Sequence, residues 1–168
     1  MVELLVKGKV WKFGDSIDTD VITPGKYLTL PMDELRLHVM EPIDPDFSRE
    51  VKEGDVIVAG RNFGCGSSRE QAAEALKSMG IRAVAAESFA RIFFRNAIAI
   101  GLPVLACDGV SKAFDEGDEM ELDLRIAEIR NLTKGTSLVA KKLPKQMLEI
   151  IEAGGAISLL AKMFAKSK

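Results

Sequence analysis

Metal-binding side chains are scarce in this chain. Its 168 residues include one histidine, His38, and two cysteines, Cys65 and Cys107. That is too few soft ligands for an iron–sulfur cluster or a structural zinc site, so chemistry that needs such a metal would draw it from another polypeptide. The cysteines lie far apart and form no Cys-x-x-Cys, the expectation for a reduced, intracellular and cytoplasmic protein. Basic residues nowhere cluster densely, and a net charge of −2 with a pI near 5.6 gives nucleic acid no footing. No apolar run approaches the ~20 residues of a membrane span. The segment Met1–Gly8 lacks the charged stretch and long apolar run of a signal peptide.

What is present is ordinary for a globular protein: 47% apolar and 29% charged residues. The length suits one domain, 1–168, with its own core. An opening strand is expected at Lys7–Lys12. The stretch from Asp15 to Lys52 is irregular, with a short helix within Pro31–Met40 broken by Glu41-Pro42-Ile43-Asp44-Pro45; long ordered loops of this kind are often functional. The pattern then becomes α/β: strand Asp55–Ala59, helix Gln71–Met79, strand Arg82–Ala86, helix Ser88–Ile100 with Ser88 as N-cap and Gly101 as its stop, and strand Pro103–Cys107. Short connections imply a parallel sheet there. From Met120 to Ala140 the period falls towards two, an antiparallel meander. Pro144 opens a helix over Lys145–Glu152, Gly154-Gly155 breaks it, and a last amphipathic helix covers Ala156–Ala165.

The densest signal is Gly60-Arg61-Asn62-Phe63-Gly64-Cys65-Gly66-Ser67-Ser68-Arg69-Glu70, between a strand and a helix. Such a turn aims unpaired backbone N–H groups and the positive end of a helix dipole at one spot, which suits an anion. Two hydroxyls add donors and acceptors, and Arg69 adds a fixed charge with a bidentate fork. The run reads as a seat for a carboxylate or phosphate, with Ser67 or Ser68 close enough for chemistry. Ser67 and Glu70 also fit a capping box, which would make Ser67 a helix cap and nothing more. A cap does not need two preceding glycines, whereas close approach of a ligand does. Nucleotide binding is the rival reading: Gly64-Cys65-Gly66 opens a Gly-x-Gly-x-x-Gly pattern, and Glu87 ends the next strand where a ribose-binding acid would sit. The third glycine is replaced by Arg69, which cannot pack as glycine does.

Other features carry less. Asp15-Ser16-Ile17-Asp18-Thr19-Asp20 offers three carboxylates and two hydroxyls, yet it lacks calcium-loop spacing and reads alone as a self-capping turn. His38 reads as structural rather than as a general base. Cys65, near a helix N-terminus, is expected to have a lowered pKa, but it lacks a histidine partner and reads as packing. Arg91 and Arg95 share a helix face, by default a solvated one.

Taken in order, Gly14–Ile22, Gly60–Glu70 and Ser88–Asn96 resemble one family closely, over nearly the whole chain: the small subunit of 3-isopropylmalate dehydratase and its homoaconitase relatives, equivalent to the mobile C-terminal domain of aconitase. The resemblance implies a swivelling β/β/α domain of aconitase type, α/β with a mixed parallel/antiparallel sheet and flanking helices. It implies a large partner subunit carrying a [4Fe–4S] cluster, with no cofactor in this chain, and a small dicarboxylic hydroxy acid as substrate. Water is removed from the 2-hydroxy acid and added back at the neighbouring carbon. Ser67 matches the serine that removes the proton. Ser68 and Arg69 match residues that hold substrate carboxylates, and Asp20 with Thr19 matches an active-site pair. Gly64, Cys65 and Gly66 would shape the turn. Substrate choice is associated with the loop that here reads Tyr27-Leu28-Thr29-Leu30. Homoaconitase-type members carry an arginine there; this chain has Thr29, which favours isopropylmalate over homocitrate. Homoaconitase and methylmalate (citraconate) hydratase subunits are the alternatives within the family. A nucleotide-binding module and a pure scaffold are the alternatives outside it. Stoichiometry, and self-association of the isolated chain, stay open.

Overall fold

The computed structural model describes residues 2–167. Seven strands form one curled sheet in the order β4-β3-β2-β1-β5-β6-β7. They are β1 (Leu5–Lys12), β2 (Val56–Ala59), β3 (Ala83–Ala86), β4 (Val104–Ala106), β5 (Glu119–Asp123), β6 (Glu128–Asn131) and β7 (Thr136–Val139). The sheet changes character at β1. Leu5–Lys9 pairs antiparallel with β5, and Val10–Lys12 pairs parallel with β2. From β1 through β4 the sheet is parallel; from β1 through β7 it is antiparallel.

The sequence explains the division. Val56–Ala59 and Ala83–Ala86 are buried at every residue, as strands covered on both faces require. β5 and β6 alternate buried residues with half-buried or exposed ones, as in a sheet with one wet face. β2 and β3 are joined through helix α4 (Glu70–Ser78), and β3 and β4 through α5 (Arg91–Ala99). Helix α7 (Lys145–Ala153) follows Pro144 at its N-cap and ends at Gly154, φ +92°. The last helix, α8 (Ala156–Lys166), leaves Ile157, Leu160, Met163 and Phe164 exposed. Among the described residues no helix is long and apolar enough to cross a membrane.

The irregular stretch holds three one-turn helices, α1 (Thr19–Ile22), α2 (Met32–Leu35) and α3 (Phe47–Glu50), and 3-10 turns at Gly25–Tyr27 and Arg36–His38. Buried anchors order it in place of a strand ladder. Phe47 is fully buried, edge-on to Trp11 and Phe13 with ring centroids 5.2 and 5.4 Å away; burying one such ring contributes ~1.5–3 kcal/mol. Ile22, Val39 and Met40 join the same core, which runs through both halves of the sheet. One short helix, α6 (Val110–Ala113), follows β4.

The expected strands and meander are present, with ends displaced by a residue or two. One helix start needs correction. Ser88 does not cap α5, which begins at Arg91 with Ala90 as its N-cap. Ser88 instead accepts a hydrogen bond from the Asn62 N–H through its hydroxyl at 2.8 Å, and from the Phe63 N–H through its carbonyl at 3.0 Å. Phe63 and Phe89 form an isolated bridge. Ser88 to Ala90 thus prolong the pairing of β2 with β3 and hold the glycine-rich turn.

Candidate active site

The glycine-rich turn lies beyond the end of β2, and the acidic motif is strapped across it. Two of its glycines are required by geometry. Gly64 and Gly66 have φ of +83° and +92°, a region L side chains rarely adopt. A Cβ on Gly64 would run into the Phe93 ring, and one on Gly66 would stand 2.5 Å from both carboxylate oxygens of Asp18. The strap is made of hydrogen bonds. The Gly64 N–H donates to the Ile17 carbonyl and the Thr19 N–H to the Cys65 carbonyl, each at 2.8 Å. The Thr19 hydroxyl donates to the Ser67 carbonyl at 2.8 Å. The Arg61 N–H donates to Asp15 Oδ1 at 2.7 Å. The carboxylates are therefore fasteners: Asp15 ties the start of the turn, and Asp18 caps α1 by accepting from the Asp20 N–H at 2.7 Å.

Asp20 and Arg69 complete the joint. Arg69 Nη1 donates to Asp20 Oδ1 at 2.8 Å and to the Thr23 carbonyl at 3.0 Å. Asp20 also accepts from the Gly25 N–H at 2.8 Å. The hydrogen bond from Arg69, then that from Gly25, holds the Asp20 carboxyl below its ordinary range. Arg69 is thus oriented rather than free, with Nη2 and Nε unpartnered among the described residues.

Ser67 is not a helix cap. α4 starts at Glu70 with Arg69 as its N-cap, and no side chain caps it. The alternative of a capping box fails, because Ser67 lies three residues before the first helical residue and its carbonyl is held by Thr19. The hydroxyls of Ser67 and Ser68 are exposed and have no hydrogen-bond partner among the described residues. Cys65 also departs from expectation: burial first, then the Asp18 carboxylate, pushes its thiol up rather than down. The helix end that was to lower it lies beyond Ser67, whereas Asp18 is its bridge partner.

A cavity of about 240 Å³ opens beside the turn, lined by Thr19, Gly64, Gly66, Ser67 and Arg69 on one side and by Ala90, Arg91, Ile92, Phe93 and Asn96 on the other. Sequence reasoning gave the first group a role and missed the second. Asn96 had a legible signal: a polar residue of poor helix propensity beside the buried Phe93 and Ala97. Arg91 lines the same space and has no carboxylate within ion-pair distance among the described residues. None of Tyr27, Leu28, Thr29 or Leu30 lines this cavity. That loop joins the site through the bond from the Gly25 N–H to Asp20. The Tyr27 hydroxyl donates to Glu41 at 3.1 Å, and its ring stacks on His38 at 3.7 Å. His38 bonds Glu41 at 2.6 Å, the structural role expected of it. Glu87 accepts from the N–H groups of Gly109 and Ser111 at 2.8 and 3.4 Å, so the acid a ribose would need is engaged at the start of α6.

Among the described residues no three His, Cys, Asp or Glu side chains gather to hold a metal ion. Residues 34–108 match the family described as the aconitase C-terminal domain. Over 98% of its length, and 98% of the relative's, the chain is 55% identical to the isopropylmalate/citramalate isomerase small subunit of Methanocaldococcus jannaschii. It is 54% identical to the methanogen homoaconitase small subunit of Methanothermobacter thermautotrophicus, over 94% of this chain and 91% of that one. To the 3-isopropylmalate dehydratase small subunit of Thermodesulfovibrio yellowstonii it is 54% identical over 94% of each. The crystal structure of 3-isopropylmalate dehydratase from Methanocaldococcus jannaschii superimposes with a TM-score of 0.91 at 47% identity, covering 97% of both chains.

Proposed function

This chain belongs to the family of 3-isopropylmalate dehydratase small subunits, in the aconitase superfamily, and from that membership we propose how it works. It is one subunit of a hydro-lyase that interconverts 2-isopropylmalate and 3-isopropylmalate through 2-isopropylmaleate, a step of leucine biosynthesis. Residues 1–168 act as one swivel unit that completes the active site at the face of a larger partner subunit. The partner carries the iron–sulfur cluster, which supplies Lewis-acid assistance to the leaving hydroxyl. The cytoplasm suits such a cluster and two free thiols.

The observation that carries the reading is the pair of unpartnered hydroxyls, Ser67 and Ser68, on a turn fixed by Thr19, Asp18 and the Asp20–Arg69 joint. Ser67, as alkoxide, takes the proton from the carbon next to a substrate carboxylate. The electron pair of that C–H bond forms the double bond as the neighbouring C–O bond breaks, and the leaving hydroxyl takes its proton from a general acid of the partner subunit to depart as water. On rehydration at the other carbon Ser67 returns the proton. A serine hydroxyl is a weak base in water; the end of α4 and the guanidinium of Arg69 lower the cost of its oxyanion. Ser68 and the remaining donors of Arg69 hold substrate carboxylates, and Asp20 keeps Arg69 in position. Gly64, Cys65 and Gly66 shape the turn, and Thr19 anchors Ser67. The apolar wall of Ala90, Ile92 and Phe93 and the arginine-free loop Tyr27–Leu30 suit a branched alkyl group better than a third carboxylate.

Ser67→Ala tests the role. In the assembled two-subunit enzyme it should lower kcat by ~10²-fold or more, the scale of an essential base, while partner binding and melting temperature stay within experimental error. A loss below about tenfold would remove Ser67 from the mechanism.

A further inference from the structure

One polar group in the cavity has no task in the reaction just described. Asn96 lies in the middle of α5, between the buried Phe93 and Ala97. Its backbone carbonyl is used normally, accepting from the Ile100 N–H at 3.2 Å. Its side-chain Nδ2 is buried and makes no hydrogen bond, the one such buried side-chain nitrogen or oxygen among the described residues. An orphaned buried donor costs about 1–3 kcal/mol, and native structures keep few of them without a reason. The fold supplies none. Leucine or methionine would fill the same helix position with better propensity and no polar atom to satisfy.

The reason lies in the cavity that Asn96 borders. Asn96 lines the cavity of about 240 Å³ with Thr19, Ser67, Arg69 and Arg91. Two guanidinium groups on one small cavity select an anion, and Nδ2 can only donate, as a carboxylate can only accept. We propose that Asn96 is a substrate-binding residue of this site, its Nδ2 donating to a carboxylate oxygen of the dicarboxylic substrate. The inference rests on the function proposed above. A donor to a carboxylate that keeps its charge throughout the reaction binds ground state and transition state alike. It therefore acts on KM rather than on kcat.

The test uses the complete two-subunit enzyme, with 2-isopropylmaleate hydration as the assay and two variants with the same number of side-chain heavy atoms as asparagine. Asn96→Leu should raise KM about 10- to 100-fold, the range for a lost hydrogen bond to a charged group, with kcat within about threefold. Its melting temperature should not fall, since the orphaned donor is gone. Asn96→Asp sets a carboxylate against the substrate's own and should raise KM further. Should the leucine variant fail to fold, the isosteric aspartate variant decides alone. A KM within twofold of wild type in a folded variant would overturn the assignment. So would weakened subunit assembly at unchanged KM, which would give the amide to the interface. A wild-type assembly inactive on 2-isopropylmaleate would instead overturn the parent reading, an outcome distinct from an active wild type with an indifferent variant.

Discussion

At Gly66 a single hydrogen atom in place of a side chain decides whether the site forms. Its φ of +92° and the Asp18 carboxylate 2.5 Å from any Cβ oppose substitution independently. Gly66→Ala should therefore destabilise the chain by more than ~1 kcal/mol, and because the strain sits one residue from Ser67, activity should fall more than stability. Denaturant unfolding beside kcat/KM measures both; a variant of wild-type stability would mean that Asp18 moves aside freely. Cys107 offers a second prediction. Burial, and then the Glu87 and Asp108 carboxylates, pushes its thiol up from 9.0 to about 11. Between those values the unfolded chain loses the proton while the folded chain keeps it, so stability falls as pH rises through that window and is unaffected below it. The melting temperature of Cys107→Ala should accordingly fall less between pH 9 and 11 than that of the wild type. Parallel curves would mean that the thiol ionises alike in both states.

Two polar segments play opposite parts at the level of elements. Asp15–Asp20 carries three carboxylates, yet all three are consumed as fasteners: on the Arg61 N–H, on the α1 N-terminus and on Arg69. The serine turn keeps its hydroxyls free. Asp18→Ala should cost about 0.5–2 kcal/mol, the value of a helix cap, and should lower activity by loosening the turn rather than by removing a reacting group. Thermal unfolding and a KM-against-kcat comparison would distinguish this from a direct role, since a catalytic loss would appear in kcat with stability intact. The capping-box pattern at Ser67 and Glu70 shows why local spacing alone does not make a cap. The pattern was present, but the Thr19 hydroxyl, far away in sequence, holds the Ser67 carbonyl, and the helix begins two residues later than the box requires.

At the scale of the whole molecule, the proposed substrate choice rests on the loop Tyr27–Leu30. Thr29→Arg should move the kcat/KM ratio towards tricarboxylates by about tenfold or more, because a third carboxylate then gains a partner instead of being buried without one. Competition between isopropylmaleate and a tricarboxylate homologue reads that ratio. An unmoved ratio would place substrate choice in the apolar wall of Ala90, Ile92 and Phe93.

The sequence by itself determined the strand and helix types, the mixed sheet, the family, and the chemical content of the turn. These depend on periodicity, on glycine and on neighbours a few residues apart, which a linear reading contains. The tertiary structure alone decided that Thr19 holds Ser67, that Asp20 orients Arg69, that Ser88 supports Asn62, and that Asn96 borders the same cavity with a buried, unpartnered Nδ2. Those relations join segments brought together by the order of strands in the sheet, and strand order is a matter of packing that no local pattern records.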